Sequence, residues 1–139
     1  MALWVLPAIG YILALGAMGI TSKIAVQRVG WQELVLWTAG VYVVVATVLI
    51  ASGQIRTVHW GYGTLMAVIS AALAATGLIL FFMVVKEANV SRAVPFMASY
   101  PVVTIILAFL VFSERLNLAQ AGGAALVVAG VVVLASQSG

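Results

Sequence analysis

The sequence predicts an all-α integral membrane protein with five transmembrane helices. Of its 139 residues, 65% are hydrophobic and only 6% are charged, whereas an ordinary soluble domain carries roughly a quarter charged residues. The charged residues stand singly between five apolar stretches, each near the ~20 residues that a helix needs to cross a bilayer. Stretches such as residues 121–135 are apolar on every face, unlike the alternating strands of a membrane β-barrel.

The predicted helices are residues 3–22, 34–53, 60–85, 93–112 and 118–135. The first one lacks a preceding basic segment and stays apolar for about 20 residues, which indicates a membrane span and not a cleaved signal peptide. Short connections join the helices, so we expect no extramembrane domain. Aromatic side chains at the span ends fit an interfacial belt, namely Trp4, Trp31, Trp60 and Tyr62.

Small residues form rows on two of the predicted helices, and such rows let helix backbones approach in lipid. The third helix has alanine at positions 67, 71 and 75. The fifth helix has no strongly polar side chain between Gln120 and Ser136, so we assign it to a dimer interface or to scaffolding. The predicted interface residues are Ala121, Gly123, Ala125, Ala129 and Gly130.

The fourth helix departs most from a plain lipid-facing sequence. Pro95 lies near its first turn, and Pro101 lies about a third of the way across. Proline removes a helix hydrogen bond and disfavours helical geometry at the preceding residue, so we expect this helix to be interrupted by proline. An interrupted helix at membrane depth is tolerated where it is buried in protein or faces a watery cavity, and many transporters build binding sites this way.

Aromatic and hydroxyl groups share one face of this fourth helix, and we predict that they contact a small polar or amphipathic substrate. They are Phe96, Ser99, Tyr100 and Thr104. The alternative is that the two hydroxyls bond back to their own helix and the aromatic rings simply pack.

Lys23, Arg92 and Trp37 complete the predicted substrate-binding residues. Each of the two bases lies next to a span end and has a stem that can reach inward, although it can also snorkel outward to lipid phosphates. Weaker candidates on the first three helices are Tyr11, Met18, Ser22, Tyr42, Ser70, Gly77 and Phe81.

Catalytic and cofactor sites are not expected. The sequence has no cysteine, one histidine and no acid deep in a span, so it offers neither a metal site nor a paired nucleophile and base. The net charge of +3 comes from scattered single residues, which indicates membrane topology and not nucleic-acid binding.

The bases also predict an orientation. With five spans, four bases (Lys23, Arg28, Lys86 and Arg92) share a face with the C-terminus, while Arg56 and Arg115 share the opposite face with the N-terminus. The positive-inside rule then places the N-terminus outside and the C-terminus in the cytoplasm. The bias is small enough to leave insertion in both orientations open.

Local motifs resemble those of EamA-like transporters in the drug/metabolite transporter superfamily. Residues 16–25 (GAMGITSKIA) resemble the small-residue-then-lysine signature of that family, and residues 86–95 (KEANVSRAVP), 101–104 (PVVT) and 112–116 (FSERL) resemble its last helices. The resemblance covers the whole chain and implies one five-helix EamA-type repeat as a single domain over residues 1–139. Family positions are matched at Lys23, Pro95, Pro101, Glu114 and Arg115.

The resemblance implies a transporter of small metabolites or drug-like molecules in the inner membrane, surrounded by lipid. Most relatives fuse two inverted repeats around a central cavity and work by alternating access. A single repeat is then expected to pair with an antiparallel second copy or with a homologous partner. Two alternatives stay open, namely a non-transporting scaffold subunit and a flippase for a lipid or a lipid-linked sugar.

Overall fold

The chain is α-helical in the computed structural model, which describes residues 3–113 and 117–136. Glu114 and Arg115, which match the family pattern, lie outside the described residues. Helices that are long and apolar enough to cross a membrane span Val5–Ala51, Tyr62–Glu87 and Val90–Phe112, and a shorter apolar helix spans Leu118–Val133. Large apolar side chains such as Leu6, Leu110 and Leu126 are mostly exposed, which suits a lipid-facing surface. The prediction of an all-helical membrane protein is confirmed.

The helices are α1 (Val5–Ala51), α2 (Tyr62–Glu87), α3 (Val90–Met97), α4 (Tyr100–Phe112) and α5 (Leu118–Ser136). The ends of α2 and α5 lie within two residues of the ends predicted for the third and fifth helices. The chain divides into two compact units, Met1–Glu87 and Ala88–Gly139, called below the first unit and the second unit.

A correction concerns the first two predicted helices. The loop expected at residues 23–33 is helical except at Gly30, so α1 runs from Val5 to Ala51 with a bend at that residue. Lysine, arginine, glutamine and alanine, which fill much of this segment, are good helix formers. Lys23 and Arg28 therefore lie within α1 and do not end it.

The bend depends on glycine at position 30. Gly30 has φ 81° and ψ 163°, a backbone region that is essentially restricted to glycine because other residues carry a Cβ atom. The non-helical geometry is confined to this residue, and both flanking segments, 5–29 and 31–51, are helical. One glycine thus replaces the predicted loop.

A glycine also ends α1. Gly53 has φ 71°, its N–H donates to the Ile50 carbonyl oxygen at 3.0 Å, and the Gln54 N–H donates to the Leu49 carbonyl oxygen at 3.1 Å. This is the hydrogen-bond pair of a Schellman motif, which satisfies the last carbonyl groups of a helix. The chain then leaves the helix before α2 begins at Tyr62.

The core of the first unit lies between α1 and α2, which pack against each other. Gly19, Ser22 and Val26 of α1 are buried and lie at helical spacing on one face. The buried residues of α2 are Phe82 and Val85. Small residues such as glycine and serine let two helices approach closely in lipid, where there is little hydrophobic drive for association.

The second unit contains the two predicted prolines. Pro95 lies inside α3, which ends at Met97, and Pro101 is the second residue of α4. The N–H and the hydroxyl of Ser99 both donate to the Phe96 carbonyl oxygen, at 3.2 and 2.7 Å. We expected the departure from helical geometry at Tyr100, but Tyr100 begins α4 and the break lies at residues 98–99. The role of proline in this break stays a prediction.

The start of α5 is capped by two reciprocal hydrogen bonds. The Asn117 N–H donates to the Gln120 side-chain oxygen at 2.9 Å, and the Gln120 N–H donates to the Asn117 side-chain oxygen at 2.8 Å. This pattern is a capping box, which satisfies amide groups that have no partner within the helix. Within the second unit, α5 packs against α3.

Candidate functional site

A cavity of about 270 Å³ lies in the first unit. It is lined by residues of the two halves of α1 and by residues of α2, namely Met18, Thr21, Ser22, Ala25, Leu34, Thr38, Tyr42, Leu78 and Phe82. We call it the hydroxyl cavity because four of these nine side chains carry a hydroxyl group. Its volume is close to the lower end of the range of roughly 300–1,000 Å³ for small-molecule sites.

Helical periodicity places these residues on common faces. The first half of α1 contributes positions 18, 21, 22 and 25, the second half contributes 34, 38 and 42, and α2 contributes 78 and 82. Such spacings of three, four and seven residues put side chains on one side of a helix. Because positions 25 and 34 flank Gly30 closely, the cavity lies beside the bend of α1.

Two hydroxyl groups of the cavity donate to their own helix. The Thr38 hydroxyl donates to the Leu34 carbonyl oxygen at 2.8 Å. The Thr21 hydroxyl has the carbonyl oxygens of Ala17 and Met18 within reach, at 3.1 and 3.2 Å. A threonine hydroxyl has one proton to donate and two lone pairs that accept, so these two oxygen atoms keep their capacity to accept.

The rest of the wall is aromatic and apolar. Phe82 is almost fully buried, and its ring meets the ring of Phe81 edge to face, with the centroids 5.9 Å apart. Tyr42 is 65% exposed, and its phenol combines an apolar ring with a group that donates or accepts. Among the described residues, no charged side chain lines the cavity.

Lys23 follows the cavity residue Ser22, but its ammonium group has a partner elsewhere in the first unit. The Lys23 Nζ donates to the Lys86 carbonyl oxygen at 3.1 Å. This contact joins α1 to the last turn of α2. The predicted contact of Lys23 with substrate stays a prediction, and the structure adds a packing role.

Trp37 and Arg92 do not line the hydroxyl cavity. The Trp37 ring N–H donates to the Glu33 carboxylate at 3.2 Å, and the indole is 65% exposed. Arg92 is exposed and lies in α3 of the second unit.

The predicted fourth-helix residues lie on α3, at the break and on α4. Phe96 and Tyr100 are 60% and 55% exposed. The Ser99 hydroxyl donates to the Phe96 carbonyl oxygen at 2.7 Å, and the Thr104 hydroxyl donates to the Tyr100 carbonyl oxygen at 3.3 Å. The hydroxyls therefore bond back to their own chain, and their lone pairs remain acceptors.

Most of the hydroxyl cavity was missed by sequence reasoning. Met18, Ser22 and Tyr42 were weak candidates. Phe81 was also a candidate, but the cavity is lined by its neighbour Phe82. Thr21 and Thr38 were not singled out, because an isolated threonine in a membrane helix usually bonds to its own backbone. Thr21 shares a helix face with Met18, and Thr38 shares one with Tyr42. These faces predict a common cavity only when it is known which sides of the helices face each other.

Exposed apolar helices that are long enough to cross a membrane define a multi-pass helical membrane protein. The model of the EamA-like transporter family matches residues 2–136, and the chain belongs to this family. It is therefore a membrane transporter of the drug/metabolite superfamily, a group whose members are not typically enzymes. Neither a curated protein nor a solved structure matches the chain.

Proposed function

We propose that the protein moves small metabolites or drug-like molecules across the inner membrane by alternating access, as a dimer. The observation that carries the proposal is the hydroxyl cavity, which is bordered by helix segments on both sides of the Gly30 bend. A cavity with a few polar groups in an apolar wall is the usual form of a small-molecule site.

Five membrane crossings are part of this proposal. A straight helix of 47 residues would extend about 70 Å at 1.5 Å per residue, far beyond the ~30 Å hydrocarbon core. Each of the two segments flanking Gly30 has the roughly 20 residues that one crossing needs. The helix α2, the pair α3 and α4, counted as one span, and α5 then bring the number of crossings to five.

Gly30 is the proposed pivot of the transport movement. Thr21 and Ala25 line the cavity before the bend, and Leu34 and Thr38 line it after the bend. A change of the backbone angles at Gly30 therefore alters the distance between two walls of the same cavity. Hinges in transport and binding proteins are usually a few residues that absorb such changes.

The fourth-helix residues are the proposed substrate-binding residues of the second unit. Phe96, Ser99, Tyr100 and Thr104 offer two aromatic rings and two acceptor hydroxyls close to the break between α3 and α4. Broken helices in transporters commonly border the substrate. We expect Tyr100→Ala and Ser99→Ala to abolish transport while assembly is preserved.

Transport is tested with purified protein in liposomes and a panel of radiolabelled amino acids, sugar derivatives and amines. Tyr62→Ala is the matched control for Tyr100, since Tyr62 is also an exposed tyrosine at a helix start. Ser136→Ala is the control for Ser99, because the Ser136 hydroxyl makes the same bond to the carbonyl three residues earlier. Full activity of Tyr100→Ala and Ser99→Ala would contradict their assignment as substrate-binding residues. A wild-type protein that moves no solute and co-purifies with a partner would favour a scaffold subunit.

The dimer is proposed to be antiparallel, with a homologous partner as the other arrangement. Its orientation is tested by fusing the C-terminus to a reporter that is active only in the cytoplasm and to one that is active only outside. Signal from both fusions is expected for an antiparallel homodimer. Cytoplasmic signal alone would contradict that arrangement and agree with the charge bias for a cytoplasmic C-terminus.

A further inference from the structure

We propose that the hydroxyl cavity binds an uncharged small molecule with a hydrogen-bond-donating head and an apolar body, and that it discriminates against ions. This inference rests on the proposed transport function and names the chemical class of the ligand at the first-unit site. Three features of the cavity lead to it: the direction of its hydrogen bonds, its lack of charge and its apolar wall.

The direction of the hydrogen bonds selects a donor. Thr38 and Thr21 use their hydroxyl protons on carbonyl groups of α1. Their oxygen atoms can then only accept a further bond. Ser22 and Tyr42 carry hydroxyls that donate or accept, so an alcohol or another neutral donor finds partners at all four positions. A ligand head with acceptors alone has no partner at Thr21 or Thr38.

The lack of charge discriminates against ions. No charged side chain of the described residues lines the cavity. The base that follows Ser22 in sequence, Lys23, places its ammonium on the Lys86 carbonyl oxygen. An ion that enters a mostly apolar site without a counter-charge loses hydration energy that is not recovered. Anions meet the larger penalty here because two of the four hydroxyls already use their protons.

The apolar wall accepts the body of the ligand. Met18, Leu34, Leu78 and Phe82 surround a volume of about 270 Å³. Methionine is flexible and polarizable and adapts to different ligand shapes, while the almost fully buried Phe82 contributes a small apolar part of the wall. A ligand with one ring or a short branched chain and a single polar head matches this combination.

The test uses the full chain in lipid nanodiscs and four probes that share a phenyl group and differ at the polar end. They are 2-phenylethanol, its methyl ether, phenylacetate and 2-phenylethylammonium. Equilibrium dialysis of the radiolabelled probes, with empty nanodiscs subtracted, gives saturable binding. We expect the alcohol to bind about three- to tenfold more tightly than the ether, as for one hydrogen bond. The two ions are expected to bind at least ~10-fold more weakly.

Variants of threonine connect the selectivity to the cavity. Thr38→Val keeps the shape and removes the acceptor, so it should lower the affinity for the alcohol about three- to tenfold and leave that for the ether unchanged. Thr38→Ser should restore the preference. Thr47→Val is the matched control, because the Thr47 hydroxyl bonds to the Val43 carbonyl at the same 2.8 Å but does not line the cavity.

Three results would overturn the inference: equal binding of alcohol and ether, tighter binding of either ion, or no saturable binding of the alcohol. The probe series on the wild-type chain decides this even if Thr38→Val fails to fold. A failure of this inference about the ligand is also distinguishable from a failure of the transport proposal. Selective binding without movement of any solute in liposomes would retain the site and reject transport. Transport in liposomes without selective binding of the alcohol would reject only the ligand class.

Discussion

The ammonium group of Lys23 donates to the carbonyl oxygen of Lys86, 3.1 Å away. Lys86 lies in the last turn of α2, where carbonyl groups have no partner within the helix and the helix dipole favours a positive charge. A base on α1 thereby caps α2 from a position 63 residues earlier in the chain. The contact places the two residues at the same end of the first unit and joins the two helices that border the hydroxyl cavity.

Replacing Lys23 with methionine should destabilise the first unit. Methionine keeps an unbranched apolar stem but removes the charge that bonds to the end of α2. For a partly exposed contact at a helix terminus we expect a loss of about 0.3–1 kcal/mol. The measurement is the free energy of unfolding by titration with a denaturing detergent, compared between wild type and variant.

Lys86→Met is the matched control for this prediction. It also removes one lysine charge, but the acceptor is the backbone carbonyl of residue 86, which the substitution retains. The ion pair that it removes, Lys86 with Glu87 at 3.5 Å, is well exposed and worth little. A loss for Lys86→Met as large as that for Lys23→Met would contradict the assigned role of the Lys23 contact.

Gly30→Ala should destabilise the protein by about 1–3 kcal/mol, since alanine is strained at φ 81° and ψ 163°. The added Cβ would lie 3.4 Å from the Gln32 side-chain oxygen, which is an ordinary contact. The cost therefore comes from the backbone. We expect a lower unfolding midpoint in detergent and slower transport, because the bend also sets the separation of two cavity walls.

Gly40→Ala is the control for Gly30→Ala. Gly40 lies in the helical segment after the bend, and apart from its chain neighbours and the backbone of its own helix turn no atom of the described residues lies within 4 Å of an added Cβ. Alanine in a helix interior is favoured over glycine by about 0.5–1 kcal/mol, so the control should be neutral or stabilising. A Gly30→Ala protein with wild-type stability would show that position 30 does not need the observed geometry.

The helical class could be predicted from the composition, and two helices could be predicted from the apolar stretches between charged residues. Residues 60–85 and 118–135 were expected where α2 and α5 lie at Tyr62–Glu87 and Leu118–Ser136. The loop expected at residues 23–33 was wrong, since Lys23 and Arg28 were interpreted as part of a loop although only Gly30 is non-helical there. The relevant signal was Gly30, but a glycine in a helical pattern indicates a bend only when the packing around it is known.

The candidate site was less predictable than the helices. Sequence reasoning favoured α3 and α4, since Pro95, Pro101 and neighbouring polar residues stand out in an apolar chain. The hydroxyl cavity instead combines common residues such as Thr21, Thr38 and Leu78, which are unremarkable one by one. Their grouping depends on how α1 bends at Gly30 and packs against α2, and that is a property of three-dimensional structure.

Asn117 and Gln120 should contribute to stability as a coupled pair. Each side chain accepts from the backbone N–H of the other, at 2.8 and 2.9 Å. Asn117→Ala is expected to cost about 0.5–2 kcal/mol, as for the loss of a helix N-cap. Because both bonds belong to one capping box, Gln120→Ala should cost less in an Asn117→Ala background than in the wild type. Strictly additive free energies of unfolding would contradict this coupling.

Gly123 and Gly130 should be needed for the proposed dimer. They lie seven residues apart on one face of α5, and apart from chain neighbours and the backbone of the same helix turn no atom of the described residues comes within 4 Å of a Cβ added at either position. A side chain at either position therefore begins in open space within the described chain, whereas leucine in a close helix contact between two copies would clash. Single-molecule photobleaching in lipid should show a shift from two copies to one for Gly123→Leu and Gly130→Leu.

Gly40→Leu supplies the comparison that makes the dimer prediction specific. It adds the same bulk to a glycine inside a helix, and a Cβ added there also meets nothing within 4 Å apart from its chain neighbours and the backbone of its own helix turn, but Gly40 lies on α1 and not on the predicted α5 interface. Gly40→Leu should therefore keep the two-copy signal. An unchanged copy number in the Gly123 and Gly130 variants, or an equal loss in the Gly40 variant, would contradict the assignment of this α5 face and leave the pairing of two repeats to another surface.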